Sequence, residues 1–175
     1  MRVLTESQPH AQGSNKPVSP HLSNMKTLLV SLALIVCASA LPARAALGGD
    51  VASIDADQAQ MKGSVELQQF AAYSIHHIKA PSGTAVREYL SSAGTVFAVA
   101  WNGPFLPNLQ QLLGNYFEQY SAGVKAEKAT YVGRRPLNVQ LSGLVVQMTG
   151  HVRDYHGRAY LPNQVPGGVK SEDLW

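Results

Sequence analysis

Two histidines, two arginines and an aspartate are crowded into residues 151–158, the densest group of side chains in the sequence that could do chemistry. Imidazole and carboxylate groups are common zinc ligands and general bases. Because alternate side chains of a strand point to opposite faces, at most two of His151, Asp154 and His156 are expected to share a face. A zinc site or a hydrolytic centre would therefore need a further histidine from elsewhere in the chain.

That further histidine would be His76 or His77, on a strand predicted from Tyr73 to Lys79. A small envelope hydrolase or metal-dependent enzyme built in this way is one hypothesis. The sequence has no Gly-x-Ser-x-Gly motif, and no glycine-rich segment has the context of a phosphate-binding loop. We therefore predict no metal and no cofactor, and we favour a protein that is not an enzyme, with the hydrolase as the alternative.

Three arginines indicate a different chemistry, the binding of an anion. Guanidinium groups bind carboxylates and phosphates through paired hydrogen bonds. Arg153 and Arg158 lie close together in sequence, and Arg87 joins them if the hairpins that carry them are neighbours. The alternative is that these arginines pair with Glu88 and Asp154. The predicted ligand-binding residues are Arg87, Arg153, Arg158, His151 and His156.

Residues 25–45 have the pattern of a secretory signal peptide. Lys26 is the positive charge, residues 27–41 are an apolar run of 15 residues, and Ala43-Arg44-Ala45 is a small-x-small cleavage site. The run is shorter than the roughly 20 residues that a membrane-spanning helix needs. We predict cleavage before Ala46, a periplasmic or secreted protein, and no transmembrane segment in the mature chain.

Residues 1–24 are polar and show no apolar periodicity. We interpret Met25 as the true start, with a disordered N-terminal extension as the alternative. The single cysteine, Cys37, lies within the apolar run, so the mature chain has no thiol for a disulfide or a thiolate site. Lipid anchoring at Cys37 is an alternative to simple export, although Val36 does not fit a lipid-attachment motif.

The basic charge of the chain belongs to its first 45 residues. The whole sequence carries a formal charge of +3, whereas from Ala46 onward ten Lys and Arg balance ten Asp and Glu. A neutral mature chain has no electrostatic attraction for nucleic acid. We predict no nucleic-acid partner. The partner is expected to be an envelope protein or a small anionic ligand.

The elements that must position these residues are organised around a predicted hairpin from Thr84 to Trp101, turning at Ser91–Gly94. Its second strand is apolar on both faces, with Phe97, Val99 and Trp101 predicted on one face and the alternate residues on the other. Before it, residues 53–63 indicate a short helix, and residues 64–72 fit a strand or a helix equally well.

One clear amphipathic helix follows, predicted from Pro107 to Ser121 with Gly123 at its C-terminal exit. Residues 124–135 are predicted to form a connection. Two strands, 137–141 and 144–148, come next, and a last hairpin is predicted to turn at His156-Gly157, between residues 152–155 and 158–161. The fold class is α+β, a single domain over residues 46–175 in which about five to six antiparallel strands are packed by one amphipathic helix.

Several of these segments resemble a bacterial family of short exported proteins, the domain of unknown function 2844. The resemblance covers the predicted mature chain and implies export and one compact domain. It implies no activity, cofactor or catalytic residue. The residues that carry it are Leu47-Gly48-Gly49, Arg87-Glu88-Tyr89, Gly94, Val96 to Trp101, Gly103-Pro104, Leu112-Leu113-Gly114 with Tyr116-Phe117, and Gly150-His151 with Gly157 to Tyr160.

Overall fold

The computed structural model describes residues 46–130 and 136–175, so the predicted signal peptide and the preceding residues lie outside the described part. The strands are β1 (Ser64–Gln69), β2 (Tyr73–Lys79), β3 (Ala85–Ser91), β4 (Val96–Gly103), β5 (Leu137–Leu141), β6 (Leu144–His151) and β7 (Asp154–Tyr160). The helices are α1 (Val51–Met61), α2 (Leu109–Leu113) and α3 (Phe117–Thr130), and short 3-10 turns cover Gly114–Tyr116, Pro162–Gln164 and Ser171–Asp173.

The seven strands form one antiparallel sheet in the order β1-β2-β3-β4-β7-β6-β5. The predicted α+β class is therefore confirmed, with seven strands in place of five or six. The segment that fitted two interpretations is strand β1. No helix in the described ranges is long and apolar enough to cross a bilayer.

The helices pack on one face of the sheet. Trp101 and Val99 of β4 meet Leu112 and Leu113 of α2 and Ile54 of α1, and none of these five side chains is more than 1% exposed. Asp50 caps α1 by accepting a hydrogen bond from the Ser53 N–H at 3.1 Å. The cap is thus three residues earlier than Ser53, because a carboxylate at the N-cap reaches the first free backbone donors.

A bulge in the β3–β4 hairpin changes the predicted faces of β4. Ala98 lies opposite Tyr89 and Val96 opposite Leu90, so Phe97 is the extra residue. Phe97 therefore joins Ala98 on the face away from the helices, whereas Val96 lies with Val99 in the helix-side core. The prediction from strict alternation was wrong for these two residues because a bulge places two consecutive side chains on one face.

The final hairpin turns earlier than predicted. It turns at Val152-Arg153, where Arg153 has a left-handed φ of 69°, and His156-Gly157 lie inside β7. Gly157 is needed there for packing, because a Cβ on it would lie 2.3 Å from Cζ2 of Trp101. The glycine that suggested a turn instead makes room for the indole.

The amphipathic helix is also different from the prediction. Gly114 breaks it into α2 and α3, and α3 continues through Gly123 to Thr130, so residues 124–130 are helical. A Cβ on Gly123 would lie 2.4 Å from Cγ1 of Val139 on β5. Gly123 therefore allows the helix to approach the sheet closely and does not end it.

The opposite face of the sheet is covered in part by the segment after β7. Leu174 is fully buried there, and Val165 and Val169 pack with it. Their apolar neighbours on the sheet include Tyr89 and Phe97. This second core is smaller than the helix-side core.

Candidate functional site

The face away from the helices brings two of the predicted arginines into one row. Ala100 of β4 lies opposite Arg87 of β3 on one side and opposite Arg158 of β7 on the other. Residues directly opposite each other share a face, so both guanidinium groups lie on the face that carries Ala100. The two arginine Cα atoms are two strand spacings apart, roughly 10 Å, with only a methyl group between them.

Arg158 is held rigidly and is only 7% exposed. Its Nε and Nη2 donate to Oε1 of Gln147 at 2.8 and 2.6 Å, and its Nη1 donates to the Ser171 carbonyl. The guanidinium carbon lies 4.4 Å from the ring centroid of Trp175. In the described ranges no carboxylate forms a salt bridge with Arg158. Its charge is thus buried beside neutral partners.

Arg87 is half-buried and incompletely bonded. Its Nη2 donates to Oδ1 of Asn102 at 3.4 Å, a long contact, and its buried Nε has no acceptor among the described residues. A buried donor without an acceptor costs about 1–3 kcal/mol. Ala100 between the arginines is fully buried, so an anion reaches this donor only by displacing side chains that cover the row, and it then supplies the missing acceptor and meets two positive charges.

The arginines do not pair as the alternative interpretation proposed. Glu88 alternates with Arg87 along β3 and lies on the helix-side face, where it is fully buried. Arg153 is exposed in the β6–β7 turn, away from the row. His156 lies opposite Asn102. It is two residues before Arg158 on β7, so the two side chains share a face. The structure therefore brings Arg87, Arg158 and His156 near one another and leaves Arg153 and His151 at the end of the hairpin.

The histidines near the turn surround Asp154. Nε2 of His156 lies 2.6 Å from Oδ1 of Asp154, and Nε2 of His151 lies 3.6 Å from Oδ2. All three side chains share a face because the turn at residues 152–153 places His151 opposite Asp154, so the expectation of at most two was wrong. They are 79%, 51% and 44% exposed for His151, Asp154 and His156.

The further histidines are not close to this group. His76 and His77 lie on β2, three strand spacings from β7, roughly 14 Å. Over residues 46–130 and 136–175, no set of three His, Cys, Asp or Glu side chains has an arrangement that could hold a metal ion. The metal site that would combine the two regions is not assembled.

A buried pair of carboxyl groups was not predicted. Glu88 of β3 and Asp57 of α1 are 0% and 1% exposed, and Gln111 Nε2 donates to Oδ1 of Asp57 at 2.5 Å. Burial, followed by the nearby Asp57 carboxylate, raises the pKa of Glu88 to about 9, and burial also raises the pKa of Asp57. Glu88 therefore holds a proton at neutral pH, and neither of its carboxyl oxygens receives a hydrogen bond from a described residue that would stabilise the ionised form.

A sequence signal for this pair does exist. Asp57 follows Ile54 by one helical turn, so it belongs to the buried stripe of α1, and Glu88 alternates with buried Val86 on β3. Next to the pair, His76 lies opposite Glu88 on β2, and burial lowers its pKa. Burial thus favours the neutral forms of Glu88, Asp57 and His76.

A cavity of about 260 Å³ opens next to Gln111. It lies between the end of α1, the β2–β3 turn and the segment that precedes α2, and its lining is mostly apolar, with exposed Phe105 and Leu106 at its rim. Gln111 separates it from the carboxyl pair. The cavity has no charged side chain in its lining. The arginine row is therefore the better candidate for binding a charged ligand.

Comparison with known proteins gives one result. No curated protein and no solved structure is detectably similar to the chain. Residues 43–174 match the family described as protein of unknown function (DUF2844), which covers all of the described residues except Trp175. This match confirms the resemblance seen in the sequence, and the chain belongs to the DUF2844 family.

Proposed function

We propose that the protein is an exported, non-catalytic binding module of the cell envelope that holds a small carboxylate- or phosphate-bearing ligand between Arg87 and Arg158. The observation that carries the proposal is the arginine row. Two guanidinium groups flank Ala100 on one face, neither forms a salt bridge with a carboxylate in the described ranges, and the Arg87 Nε is buried without an acceptor.

The two arginines have different roles in this proposal. Arg158 is already bonded through its three nitrogens, so it contributes mainly a fixed positive charge. Arg87 has free donor capacity and makes the direct hydrogen bonds to the anion. Hydrogen bonds between charged groups are about twice as strong as neutral ones, so most of the affinity is expected to come from Arg87.

The segment around Trp175 limits access to the row. Trp175 stacks on Arg158, and its main-chain oxygen accepts a hydrogen bond from the Tyr89 hydroxyl at 3.3 Å. The indole is 44% exposed, so it forms a partial cover over one arginine. A ligand therefore approaches from the Arg87 side, where Asn102 and His156 offer further polar groups.

Export is the part of the proposal supported by sequence alone. A positive charge, an apolar run too short to span a bilayer and a small-x-small site occur in the correct order before Ala46. Mass spectrometry of the N-terminal peptide of the protein purified from its own cells tests this cleavage directly. A peptide that begins at Ala46 is expected, and retention of residues 25–45 would contradict export by cleavage.

Calorimetric titration with inorganic phosphate and with citrate tests the site. We expect saturable binding that Arg87→Gln weakens about 10- to 100-fold, because a hydrogen bond to a charged group contributes about 1.5–3 kcal/mol. Arg153→Gln is the matched control, since it removes the same charge from the exposed turn, and it should change the affinity less than about threefold. Absence of binding by both anions, or equal losses in the two variants, would contradict the proposal.

A second candidate function rests on the contact between His156 and Asp154. A carboxylate oxygen 2.6 Å from an imidazole nitrogen fixes the orientation of the ring, as in hydrolytic enzymes and around metal ligands. Zinc titration followed by competition with a chromogenic chelator distinguishes the two functions. Binding of zinc that His156→Ala abolishes and Arg87→Gln leaves intact would favour the metal-dependent alternative.

A further inference from the structure

The outer edge of β1 is open along its whole length. All six of its residues are exposed, and Leu67 retains 57% of its accessible surface. β1 pairs with β2 on one side only. Sheet edges are usually protected by lysine, proline, a bulge or a covering element, and β1 has none of these in the described part of the chain. Its single charge is Glu66.

The hydrogen bonds of the β1–β2 hairpin decide which backbone groups face outward. The Phe70 N–H donates to the Tyr73 carbonyl at 2.9 Å, so these two residues form a hydrogen-bonded pair. Hydrogen-bonded and non-hydrogen-bonded pairs alternate along an antiparallel ladder. Phe70, Gln68 and Glu66 therefore direct their N–H and C=O groups toward β2, and the residues that alternate with them direct these groups away from β2. Those residues are Val65, Leu67 and Gln69.

Two copies of this edge are complementary about a two-fold axis through Leu67. In that register Leu67 faces the Leu67 of the second copy, and Val65 faces its Gln69. All three outward-facing residues of each copy then form hydrogen-bonded pairs, about six backbone hydrogen bonds in total. Glu66 faces the neutral Gln68 of the second copy, so no like charges meet.

The two neighbouring symmetric registers are less favourable, and an axis through Gln68 leaves Val65 without a partner. An axis through Glu66 pairs Val65 with Leu67 and leaves Gln69 without a partner, giving about four backbone hydrogen bonds. It also places the carboxylates of the two Glu66 residues opposite each other, which is destabilising on a sheet. The positions of the outward-facing groups and of the single charge therefore select the axis through Leu67.

We propose that the chain forms a symmetric dimer in which the β1 strands of two copies pair antiparallel about Leu67, joining the two seven-stranded sheets. The other edge of the sheet does not offer the same surface. Helix α3 packs against β5, and the Glu127 carboxylate accepts the Asn138 N–H at 3.4 Å. The dimer therefore closes through β1 and does not extend into a filament.

Sedimentation velocity of the full chain over a wide concentration series tests the dimer. The wild-type protein is expected to shift reversibly from monomer to dimer, and Leu67→Lys should raise the dissociation constant at least about tenfold by placing like charges at the axis. Val65→Lys is the matched control, because its lysine faces Gln69, and it should change the constant less than about threefold. Both positions are exposed, so neither change threatens folding.

A charge-swap mixture locates the axis. Leu67→Lys and Leu67→Glu chains should each be monomeric alone and should dimerise when mixed, because opposite charges then meet at the axis. Leu67→Cys should also form an intermolecular disulfide, since a hydrogen-bonded antiparallel pair has Cα atoms about 5.5 Å apart, within disulfide range. The wild-type chain, whose one cysteine is Cys37, is the control.

Three results would overturn the proposal. The first is a wild-type protein that stays monomeric throughout the concentration series, which would leave the edge for a strand of another protein. The second is a dimer that Leu67→Lys and Val65→Lys weaken equally. The third is failure of the Leu67→Lys and Leu67→Glu mixture to dimerise while both variants remain folded by circular dichroism.

Discussion

Arg87 and Glu88 are neighbours in sequence, but the sheet separates them completely. Arg87 lies on the face away from the helices, half-buried and with a free buried donor. Glu88 lies on the helix-side face, where it is fully buried near Asp57 of α1 and burial raises its pKa to about 9. These adjacent groups therefore differ in charge and in hydrogen bonding. The Arg87 guanidinium is charged and has a donor without an acceptor, whereas the Glu88 carboxyl is neutral and fully buried.

The two faces of the sheet favour different charge states of their ionisable side chains. The helix-side face is dry, so an ionised carboxylate there is costly and protonation is the cheaper solution. On the other face the buried side chains of the row have polar neighbours, since Asn102 accepts a hydrogen bond from Arg87 and Gln147 accepts from Arg158. A ligand site is expected on the face that keeps its charges.

The largest expected effect is on the free energy of unfolding, when the tryptophan of each face is replaced in turn. Trp101 is 1% exposed in the helix-side core, and Trp175 is 44% exposed on the arginine face. Trp101→Ala is expected to lower the free energy of unfolding by about 3–5 kcal/mol through loss of burial and cavity formation. Trp175→Ala should lower it by about 1 kcal/mol or less, the size of an exposed cation–π contact. Urea denaturation measures both, and equal losses would contradict the difference between the faces.

The second effect is a pH dependence from Glu88. Burial, and after it the neighbouring Asp57, raises the folded-state pKa of Glu88 from its ordinary value of 4.5 to about 9. Between these values the unfolded chain loses the proton and the folded chain keeps it, so the free energy of unfolding falls as pH rises from about 4.5 and levels off above about 9. The loss by pH 7 should reach about 3 kcal/mol at most.

Glu88→Gln is the variant that tests this dependence. It keeps the shape of the side chain and removes its titration, so the fall of stability with pH should become shallower and the variant should be more stable than wild type near pH 8. Glu118→Gln, an exposed glutamate on α3, should leave the slope as it is. Thermal unfolding from pH 5 to pH 9 measures the slopes, and an unchanged slope in Glu88→Gln would show that Glu88 is ionised in the folded protein.

The smallest effect has the opposite sign. Arg87→Leu removes a buried donor that has no acceptor in the described ranges, so the ligand-free protein should gain up to about 1 kcal/mol of stability while losing phosphate binding. Arg153→Gln should change stability by less than about 0.5 kcal/mol and keep binding. Denaturation with and without phosphate separates the two effects. A large destabilisation by Arg87→Leu would indicate a structural role for Arg87.

Local patterns predicted much of the secondary structure. β2 runs from Tyr73 to Lys79 as the pattern indicated, the strands of the central hairpin lie close to their predicted bounds, and the α+β class follows from them. Two of the errors occur at glycines. Gly123 and Gly157 suggested a helix end and a turn, but they are sites where Val139 and Trp101 approach the backbone. A sequence alone does not tell a glycine needed for a turn from one needed for space.

The candidate site was predicted only in part. Arg87, Arg158 and His156 were selected for their chemistry, and the structure places them on one face, whereas Arg153 and His151 lie at the hairpin end. The Asp57–Glu88 pair was missed, because it joins a helix to a strand that lies about thirty residues later in the sequence. Such contacts depend on packing between elements, which periodicity does not report.

The sequence by itself determined the family, the alternating strands, the amphipathic segments and a neutral charge over residues 46–175. These properties are local or compositional, so they can be read without knowing which elements meet. Only the tertiary structure decided that β7 inserts beside β4, which brings Arg158 opposite Ala100 and within reach of Arg87. It also decided that α1 covers Glu88, because burial and the partner of a carboxyl group depend on contacts distant in sequence.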